Sequence, residues 1–331
     1  MRTLCMNCYA EIDEVAMHYK CTSCGKFIHK QCAIKHEDKP YCDLCYTARR
    51  HKKEVIVLPD VIRRSYIETY KSCPYKFYLE VVKGHEQPKN IYTELGIDVH
   101  TLMDKMSDTY QKYTVTHFLD EFDNLFKDYP DEWFDSEEQK DKMYERGMNS
   151  IRTGWEIIPY LPPAFSKEEK IIFDVGEGLP KISCTSDRTH MVNHELEVID
   201  WKTGKVLVGA KHETDLQAPL YIYSVIEKYK RPVRKFTFYY LDENKTRIFN
   251  HIRDDEYECE VGKRSYQIKL SKAIDETKKI LTNIMDHKFN IPTESKSMFF
   301  TCKMCHLRHE GLCKGADIQT WTNKGEFDWN S

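Results

Sequence analysis

The sequence predicts an α/β fold, in which a central mixed sheet is flanked by helices, preceded by a small metal-binding module. Two observations lead to this prediction. In the main part of the chain, helical segments are followed by a meander of strand patterns, then a helix and more strand, an order typical of α/β proteins. Before them, seven of the 13 cysteines fall within the first 45 residues.

The composition is that of a globular protein with a sizeable core. The chain has 331 residues, 40% of them hydrophobic, and a net charge of −3. Basic runs at 48–53 and 228–235 are either solvated faces or local nucleic-acid contacts. No segment approaches 18 apolar residues and the N-terminus has no signal-peptide pattern, so we expect no membrane partner. We expect a cytoplasmic protein whose cysteines bind metal, because disulfides are rare in that compartment.

The first 45 residues contain four pairs of metal-binding residues, each pair separated by two positions. This spacing lets one turn of backbone present two ligands to a zinc ion. Eight ligands predict two zinc ions, whose binding would supply the folding energy that so short a segment lacks. The predicted ligands are Cys5, Cys8, Cys21, Cys24, His29, Cys32, Cys42 and Cys45.

The module, residues 1–46, resembles the cross-brace fingers of the PHD and RING type. The resemblance implies one zinc on Cys5, Cys8, His29 and Cys32, and the other on the remaining four cysteines. Such fingers bind proteins or nucleic acids, so a protein partner, a DNA contact and a RING-like ubiquitin-transfer role all stay open. Residues 47–60 follow as a basic linker.

The elements of the main domain, residues 61–315, are predicted in chain order. Ser65 and Glu68 form a capping box that starts one helix, and Pro74 starts the next. A helical insertion covers about 94–165. Strands are predicted at 169–175, 181–192 and 194–203, a second hairpin at 234–252, and helices at 215–229 and 264–287. A tail, 316–331, ends the chain.

Asp187 and Asp200 lie on the two strands of the first predicted hairpin, so their carboxylates can meet near the end of the sheet. Two close carboxylates repel unless a cation neutralises them, and oxygen ligands suit Mg²⁺ or Mn²⁺. Lys202 shares a strand face with Asp200 and could stabilise charge on a phosphate. The alternative is a solvated strand end, because Asp-x-Lys is common by itself.

Five segments, in order, resemble the motifs of the PD-(D/E)xK nuclease superfamily in its RecB-like branch. They are SYIETYKSCPYKFYLE, ELGIDVH, TSDRTH, EVIDWKTGK and LQAPLYIY. They are similar to segments of CRISPR-associated RecB-like exonucleases and of the nuclease domains of bacterial helicase–nucleases. The resemblance implies a restriction-endonuclease-like core and a metal-dependent DNA exonuclease acting in replication, recombination, repair or phage metabolism.

The same resemblance implies the roles of single residues. The implied ligands of Mg²⁺ or Mn²⁺ are His100, Asp187, Asp200 and the peptide carbonyl of Trp201. The implied catalytic residues are Asp187, Asp200, Lys202, Gln217 and Tyr221. The sequence departs from the usual motif at Cys184, Ser186 and Trp201, and none of these changes removes a side-chain ligand.

A second set of cysteines lies at the two ends of the main domain: Cys73, Cys302, Cys305 and Cys313. Their spacing leaves zinc and an iron–sulfur cluster open. The RecB-like resemblance implies a [4Fe–4S] cluster. A metal centre here would close a loop from residue 73 to residue 302 and remove freedom from the unfolded chain.

The predicted function is that of a divalent-metal-dependent deoxyribonuclease. Its partner is DNA, and the aromatic run at 66–78 allows stacking on a single strand, unless those rings form the core of two helices. The alternative for the whole chain is a zinc-finger interaction or DNA-binding protein with an inactive nuclease scaffold.

Overall fold

The computed structural model describes residues 4–8, 10, 12, 18–50, 56–209, 211–291, 302 and 305–313. The chain divides into two compact units, residues 1–57 and 58–331. The predicted tail, 316–331, and residues 51–55 of the predicted linker lie outside the described residues. In the described part of the chain, none of the helices has both the length and the apolar character that a membrane span requires.

The first unit contains two small antiparallel hairpins and a helix. Its elements are β1 (His18–Lys20), β2 (Phe27–His29), β3 (Ile34–His36), β4 (Lys39–Tyr41) and α1 (Asp43–Arg50). β1 pairs with β2, and β3 with β4. Ile28 and Tyr41 are buried together with several of the cysteines. Hairpins of this size are marginal in water, so the unit needs a further source of stability.

The second unit begins with a short strand and a helical layer. The elements are β5 (Val61–Arg63), α2 (Arg64–Ser72), α3 (Pro74–Phe77), a π-helical turn (Tyr78–Val82), α4 (Ile91–Thr109), α5 (Val115–Lys127) and α6 (Glu137–Ile157). Residues 91–157 are therefore largely helical. In the aromatic run, the rings of Tyr70 and Phe77 pack edge to face at 5.6 Å and are buried. Those two rings belong to the helix core.

The predicted capping box at Ser65 is wrong. Helix α2 begins one residue earlier, and Arg63 at its N-cap position makes no side-chain cap. Glu68 instead accepts a 3.2 Å hydrogen bond from the backbone N–H of Leu216. The Glu68 carboxylate, which the local pattern predicts to cap the helix start, is thus engaged in a tertiary contact instead. The first turn of α2 is left with neither a side-chain cap nor an acidic residue.

An eight-stranded mixed sheet forms the centre of the second unit. Its remaining strands are β6 (Ala164–Phe173), β7 (Lys181–Val192), β8 (Glu195–Lys202), β9 (Val233–Tyr240), β10 (Lys245–Arg253), β11 (Glu256–Val261) and β12 (Arg264–Lys269). The order is β12-β11-β10-β9-β8-β7-β5, with β6 paired to β7. The pairs β5–β7 and β8–β9 are parallel, and the others are antiparallel.

Further helices complete this unit. They are α7 (Lys211–Thr214), α8 (Gln217–Tyr229), α9 (Leu270–Met285) and a short helix at His306–His309. Buried apolar residues of α8 and α9 form one core with the sheet. A second core joins α4, α5 and α6 to Ile199 and Trp201 of β8. The predicted fold class, a mixed sheet flanked by helices, is confirmed.

The two predicted hairpins are confirmed, and one helix boundary is wrong. Asn193 and His194 join β7 to β8 with φ of 51° and 66°, the left-handed pair that a tight hairpin turn requires. The helix predicted from residue 264 begins at Leu270 instead. Residues 264–269 form β12 because they pair with β11 along their whole length, and Ile268 is buried between exposed neighbours.

Two strands share one edge of β7 and leave an opening between them. β5 pairs with residues 181–183 and β8 with residues 188–192, while β6 covers the other edge. On the shared edge, no described strand pairs with residues 184–187. Beyond Ile199, β8 leaves β7 and continues beside β9 alone. The predicted acidic residues border this opening.

Candidate active site

Asp187 lies in β7 at the opening and is 8% exposed. Its Oδ2 accepts a 2.7 Å hydrogen bond from the backbone N–H of Trp201. Because β8 has left the β7 ladder at this point, the carboxylate satisfies an N–H group that no longer has a strand partner on that side. The separation of the two strands therefore positions Asp187 against the end of β8.

Asp200 is 2% exposed, and both of its oxygens face polar side chains. Oδ1 accepts a 3.3 Å hydrogen bond from Gln217 Nε2, at the start of α8. Oδ2 accepts no hydrogen bond of good geometry, and its ion-pair partner is Lys202 Nζ at 2.5 Å. Asp200 and Lys202 thus meet on one strand face, as alternation predicts. A buried carboxylate oxygen that only a cation balances is a suitable ligand for a metal ion.

His100 reaches the opening from the middle of α4. Its Nδ1 lies 3.5 Å from Asp187 Oδ2, and the ring also hydrogen-bonds to the backbone of Trp201. Burial lowers the pKa of His100, so the imidazole is neutral, which is the form that binds metals. The helix approaches closely here, because a Cβ on Gly96 would lie 3.4 Å from Thr203 Oγ1.

Glu168 also belongs to the site, and the sequence prediction missed it. Donor atoms of His100, Glu168 and Asp187 all lie within 4.8 Å of one another. Asp200 is not in this closest group. The strand was predicted to begin at residue 169, whereas β6 begins at Ala164 and carries Glu168 opposite Asp187. The sequence feature that could have identified Glu168 is a carboxylate on the strand that precedes the strand of Asp187.

The backbone at Glu168 is strained. Its φ of +43° is unusual for a residue with a side chain, and it lies between two strand pairs that keep one register, Lys167 with Arg188 and Glu169 with Ser186. Such outliers concentrate at functional sites, where the surrounding structure holds them. This observation supports a role for Glu168 beyond that of a surface carboxylate.

The site favours a bound cation electrostatically. Burial, and then the charge of Asp200, raises the pKa of Asp187 well above its usual value. Burial, followed by the charges of Asp104 and Asp200, raises the pKa of Glu168 to about 6. The ionised carboxylates destabilise one another in this buried place, and a divalent cation would relieve that repulsion. One imidazole and several carboxylate oxygens are a donor set that fits Mg²⁺ or Mn²⁺.

The remaining predicted residues lie around this centre without obstructing it. Tyr221 is buried, and its ring stacks on Phe236 at 5.9 Å. The indole of Trp201 packs in the α4–α6 core. Cys184 is buried, and burial raises the pKa of its thiol to about 12, so it is unreactive at neutral pH. Ser186 contacts Thr189 at 3.2 Å.

The raised carboxyl pKa values predict how stability depends on pH without divalent metal. The pKa of Glu168 is higher in the folded than in the unfolded protein. The contribution of this carboxyl group to the free energy of unfolding is therefore complete below about pH 4.5 and is lost as the pH rises through 6. We expect the melting temperature of the wild type, relative to Glu168→Gln, to fall across this range. Thermal melts from pH 4.5 to 8 measure it, and Mn²⁺ should reverse the difference at high pH. A difference that rises with pH without metal would contradict the assignment.

The mixed sheet opens at two buried acids, with a lysine two residues beyond the second acid and a histidine on the facing helix. This arrangement defines a nuclease-type site. The model of one family, the PD-(D/E)XK nuclease superfamily, matches residues 64–310. The chain belongs to this superfamily, whose nucleases use divalent metal ions. In the comparison with curated proteins, no protein matched the chain. The expected superfamily is confirmed, and the protein is a nuclease of that class.

The first unit gathers its cysteines into two groups that fit zinc. The members are Cys5, Cys8, His29 and Cys32 in one, and Cys21, Cys24, Cys42 and Cys45 in the other, each with donor atoms within 4.8 Å. Cys24 Sγ and Cys42 Sγ are 3.9 Å apart, close to the roughly 3.8 Å that tetrahedral zinc with 2.3 Å bonds requires. Burial would raise the pKa of Cys5, but backbone hydrogen bonds lower it to about 6, which favours the thiolate.

The other cysteine set surrounds one cavity in the second unit. Cys73, Cys302, Cys305 and Cys313 line it together with Leu79, Ile291 and Leu307. In contrast to the zinc groups, no three of these sulfurs lie within 4.8 Å of one another in the part of the chain that the structure describes. Nearby, His306 Nε2 lies 2.8 Å from Glu80 Oε1 and ties the short helix to the π-helical turn.

Proposed function

We propose that this protein is a RecB-like deoxyribonuclease that depends on Mg²⁺ or Mn²⁺. The observation that carries the proposal is the convergence of His100, Glu168, Asp187, Asp200 and Lys202 at one opening of the sheet. The alternative of an inactive scaffold gives no reason to bury acids whose ionised forms repel one another. An active centre does, because the same acids bind the metal.

Each residue has a role that follows from its position. His100, Glu168, Asp187 and Asp200 would hold the ion, with the Trp201 carbonyl as a further ligand. When bound, a divalent ion lowers the pKa of a water molecule and neutralises charge on the phosphate.

The lysine and the glutamine act on the groups around the ion. Lys202, already 2.5 Å from Asp200, would place its ammonium beside the reacting phosphate and stabilise the charge that develops there. Gln217 orients the Asp200 carboxylate through the hydrogen bond to Oδ1. The Trp201 N–H does the same for Asp187. The two acids are thus held in place before substrate binds.

We infer that the enzyme acts as an exonuclease on a single DNA strand. Support comes from the approach to the site along α4, where a cavity of about 490 Å³ is lined by small residues, one isoleucine and three ionisable side chains, His100 and Glu168 among them. This is the size of a small-molecule site, which suits unpaired nucleotides. The lining residues are Thr93, Gly96, Ile97, His100, Thr101, Asp104 and Glu168.

A cleavage assay of the full-length chain tests the proposed function. Substrates are end-labelled single-stranded DNA, duplex DNA, circular single-stranded DNA and RNA, each with Mg²⁺, Mn²⁺ or no metal. We expect metal-dependent cutting of linear single strands, with short products from the first time points and circles left intact. A protein that binds Mn²⁺ but cuts none of these substrates would refute the nuclease assignment, and cutting of circles would refute exonuclease action.

We also propose that Cys73, Cys302, Cys305 and Cys313 hold a [4Fe–4S] cluster. Four thiolates around one cavity suit a metal centre in a reducing compartment. Their wider separation, compared with the two zinc groups, suits a cluster of several irons better than a single zinc ion. The centre would join the start of the nuclease unit to its last described residues, which is a stabilising role.

We propose, finally, that the two cysteine groups of the first unit bind zinc and that this unit contacts a protein partner or DNA. The proposal for zinc is supported by the compact donor sets.

A further inference from the structure

The start of helix α2 offers hydrogen-bond donors that nothing in its first turn satisfies. The helix has nine residues, no side-chain cap at Arg63 and no acidic residue in its first turn. The backbone N–H groups at a helix start have no partner within the helix, and the helix dipole adds partial positive charge there. Such an end is suited to an anion.

This helix start lies beside the active-site opening. β5 runs parallel to β7, with Arg63 opposite Ser183, and α2 follows at once. The first residue of α2 is therefore level with the unpaired part of β7 that leads to Asp187. The opening consequently has α2 on the side of β5 and the end of β8 on the other.

Arg64, the first residue of α2, has its guanidinium in this region. Its Cζ lies 5.6 Å from the centre of the Tyr221 ring, and the guanidinium is within electrostatic reach of Asp200. Among the described residues, no carboxylate oxygen lies within 4.0 Å of its nitrogens. Stacking on a buried aromatic ring holds the group in place while leaving its in-plane donors available.

Three other arginines of the second unit each have a carboxylate partner. Arg146 pairs with Asp242 at 3.3 Å, Arg234 with Glu197 at 2.6 Å, and Arg253 with Glu256 at 2.7 Å. Arg64 is only partly exposed, yet it lacks such a partner. The acid one helical turn away, Glu68, is engaged by the Leu216 N–H. A partly buried guanidinium is costly without an anion, so the position of Arg64 is suited to an anion that arrives with the substrate.

We propose that Arg64 and the uncapped first turn of α2 form a phosphate subsite, which binds a phosphodiester of the substrate strand adjacent to the one that is cleaved. This inference rests on the proposed nuclease function. The planar guanidinium and the backbone N–H groups match the non-bridging oxygens of a phosphate. Arg64 binds and positions the strand, while the metal ligands and Lys202 act on the scissile bond.

Substitution of Arg64 tests the subsite, with Arg63→Ala as matched control. Arg63 is the adjacent residue, is exposed and lies over the Tyr66 ring. Full-length wild type, Arg64→Ala, Arg64→Lys and Arg63→Ala are compared for cleavage of a single-stranded oligonucleotide. Equilibrium binding of the same oligonucleotide is measured over a salt series, with each variant also made in an Asp187→Asn background.

For Arg64→Ala we expect roughly 10- to 100-fold weaker binding, as for loss of a charged hydrogen bond, expressed mainly in KM rather than kcat. The slope of log Kd against log salt should fall by about 0.7, the value for one phosphate contact on a single strand. Arg64→Lys should recover the slope but only part of the affinity, and Arg63→Ala should match the wild type.

Several results would overturn the subsite. Unchanged Kd and slope in Arg64→Ala would do so, as would equal effects of Arg63→Ala. A lower kcat with an altered Mn²⁺ requirement and unchanged KM would show that Arg64 acts through Asp200 instead. If Arg64→Ala does not fold, Arg64→Lys still tests the loss of the planar fork. A wild type that binds but does not cut refutes the nuclease function separately, since the salt slopes still report on Arg64.

Discussion

Replacing Lys202 by methionine should lower the rate of nucleic-acid cleavage by roughly 100- to 1,000-fold, the usual effect of removing one charge-stabilising group from an active site. Methionine keeps the length and apolar stem of the side chain, whose Nζ lies 5.2 Å from the centre of the Phe238 ring. It removes the ammonium that lies 2.5 Å from Asp200. The loss should appear in kcat at saturating metal and substrate, measured with end-labelled single-stranded DNA.

Lys205→Met is the matched control for this prediction. Lys205 is exposed and lies only three residues further along the chain, so its substitution should leave kcat within about twofold, as for surface changes remote from the chemistry. Thermal melts establish that both variants fold. Retention of full activity by Lys202→Met would remove the lysine from the mechanism, and equal losses in both variants would point to substrate binding instead.

Replacing Cys73 by serine should remove the iron of the protein while leaving its zinc unchanged. The wild type, purified without oxygen, should contain about two zinc and four iron atoms per chain if the two zinc sites and the cluster are filled. The variant should lose the iron and its visible absorption. The second unit should melt at a lower temperature, because the metal centre no longer links residue 73 to residue 302. Elemental analysis and the visible spectrum measure both effects.

Cys24→Ser provides the reciprocal control for the metal content. Cys24 belongs to the second zinc group and is exposed, so its loss should reduce zinc and leave iron in place. Three zinc atoms and no iron in the wild type would show that Cys73, Cys302, Cys305 and Cys313 hold zinc. Loss of both metals in either single variant would contradict the independence of the two units.

Much of the site could be predicted because its signals are local in the sequence. Asp200 and Lys202 are two residues apart and share one strand face, and the left-handed pair Asn193 and His194 makes the hairpin that brings Asp187 alongside. His100 was predicted from its motif, and it lies 3.5 Å from Asp187. These features depend on spacings of a few residues and on the resemblance of whole segments to one family.

Glu168 could not be predicted in the same way. Its role depends on the register between β6 and β7 and on a backbone conformation with φ of +43°. Two neighbouring glutamates, Glu168 and Glu169, carry the same local signal, yet Glu169 pairs with Lys228 on α8. Only the register of the strands decides which carboxylate faces Asp187.

The capping box and the start of α9 failed for a related reason. Glu68 had a good local partner in Ser65 but bonds Leu216 instead, across 148 positions of sequence. Residues 264–269 were predicted to be the first turns of the helix that follows them. They form a strand instead, because they pair with β11. In both cases a distant partner outweighs a local preference that amounts to about 1 kcal/mol.

By itself the sequence determined the superfamily, the α/β class and the two N-terminal cysteine groups, and it predicted most residues of the candidate site. Motif order, ligand spacing and strand alternation are properties of short segments, so they can be recognised in the sequence alone. Only the tertiary structure decided where β8 separates from β7, that Glu168 joins His100 and Asp187, and that Arg64 faces the opening without an acidic partner. Those features arise where segments far apart in the chain meet. At the point where β8 separates from β7, the backbone N–H of Trp201 donates a hydrogen bond to Asp187 and so positions that carboxylate.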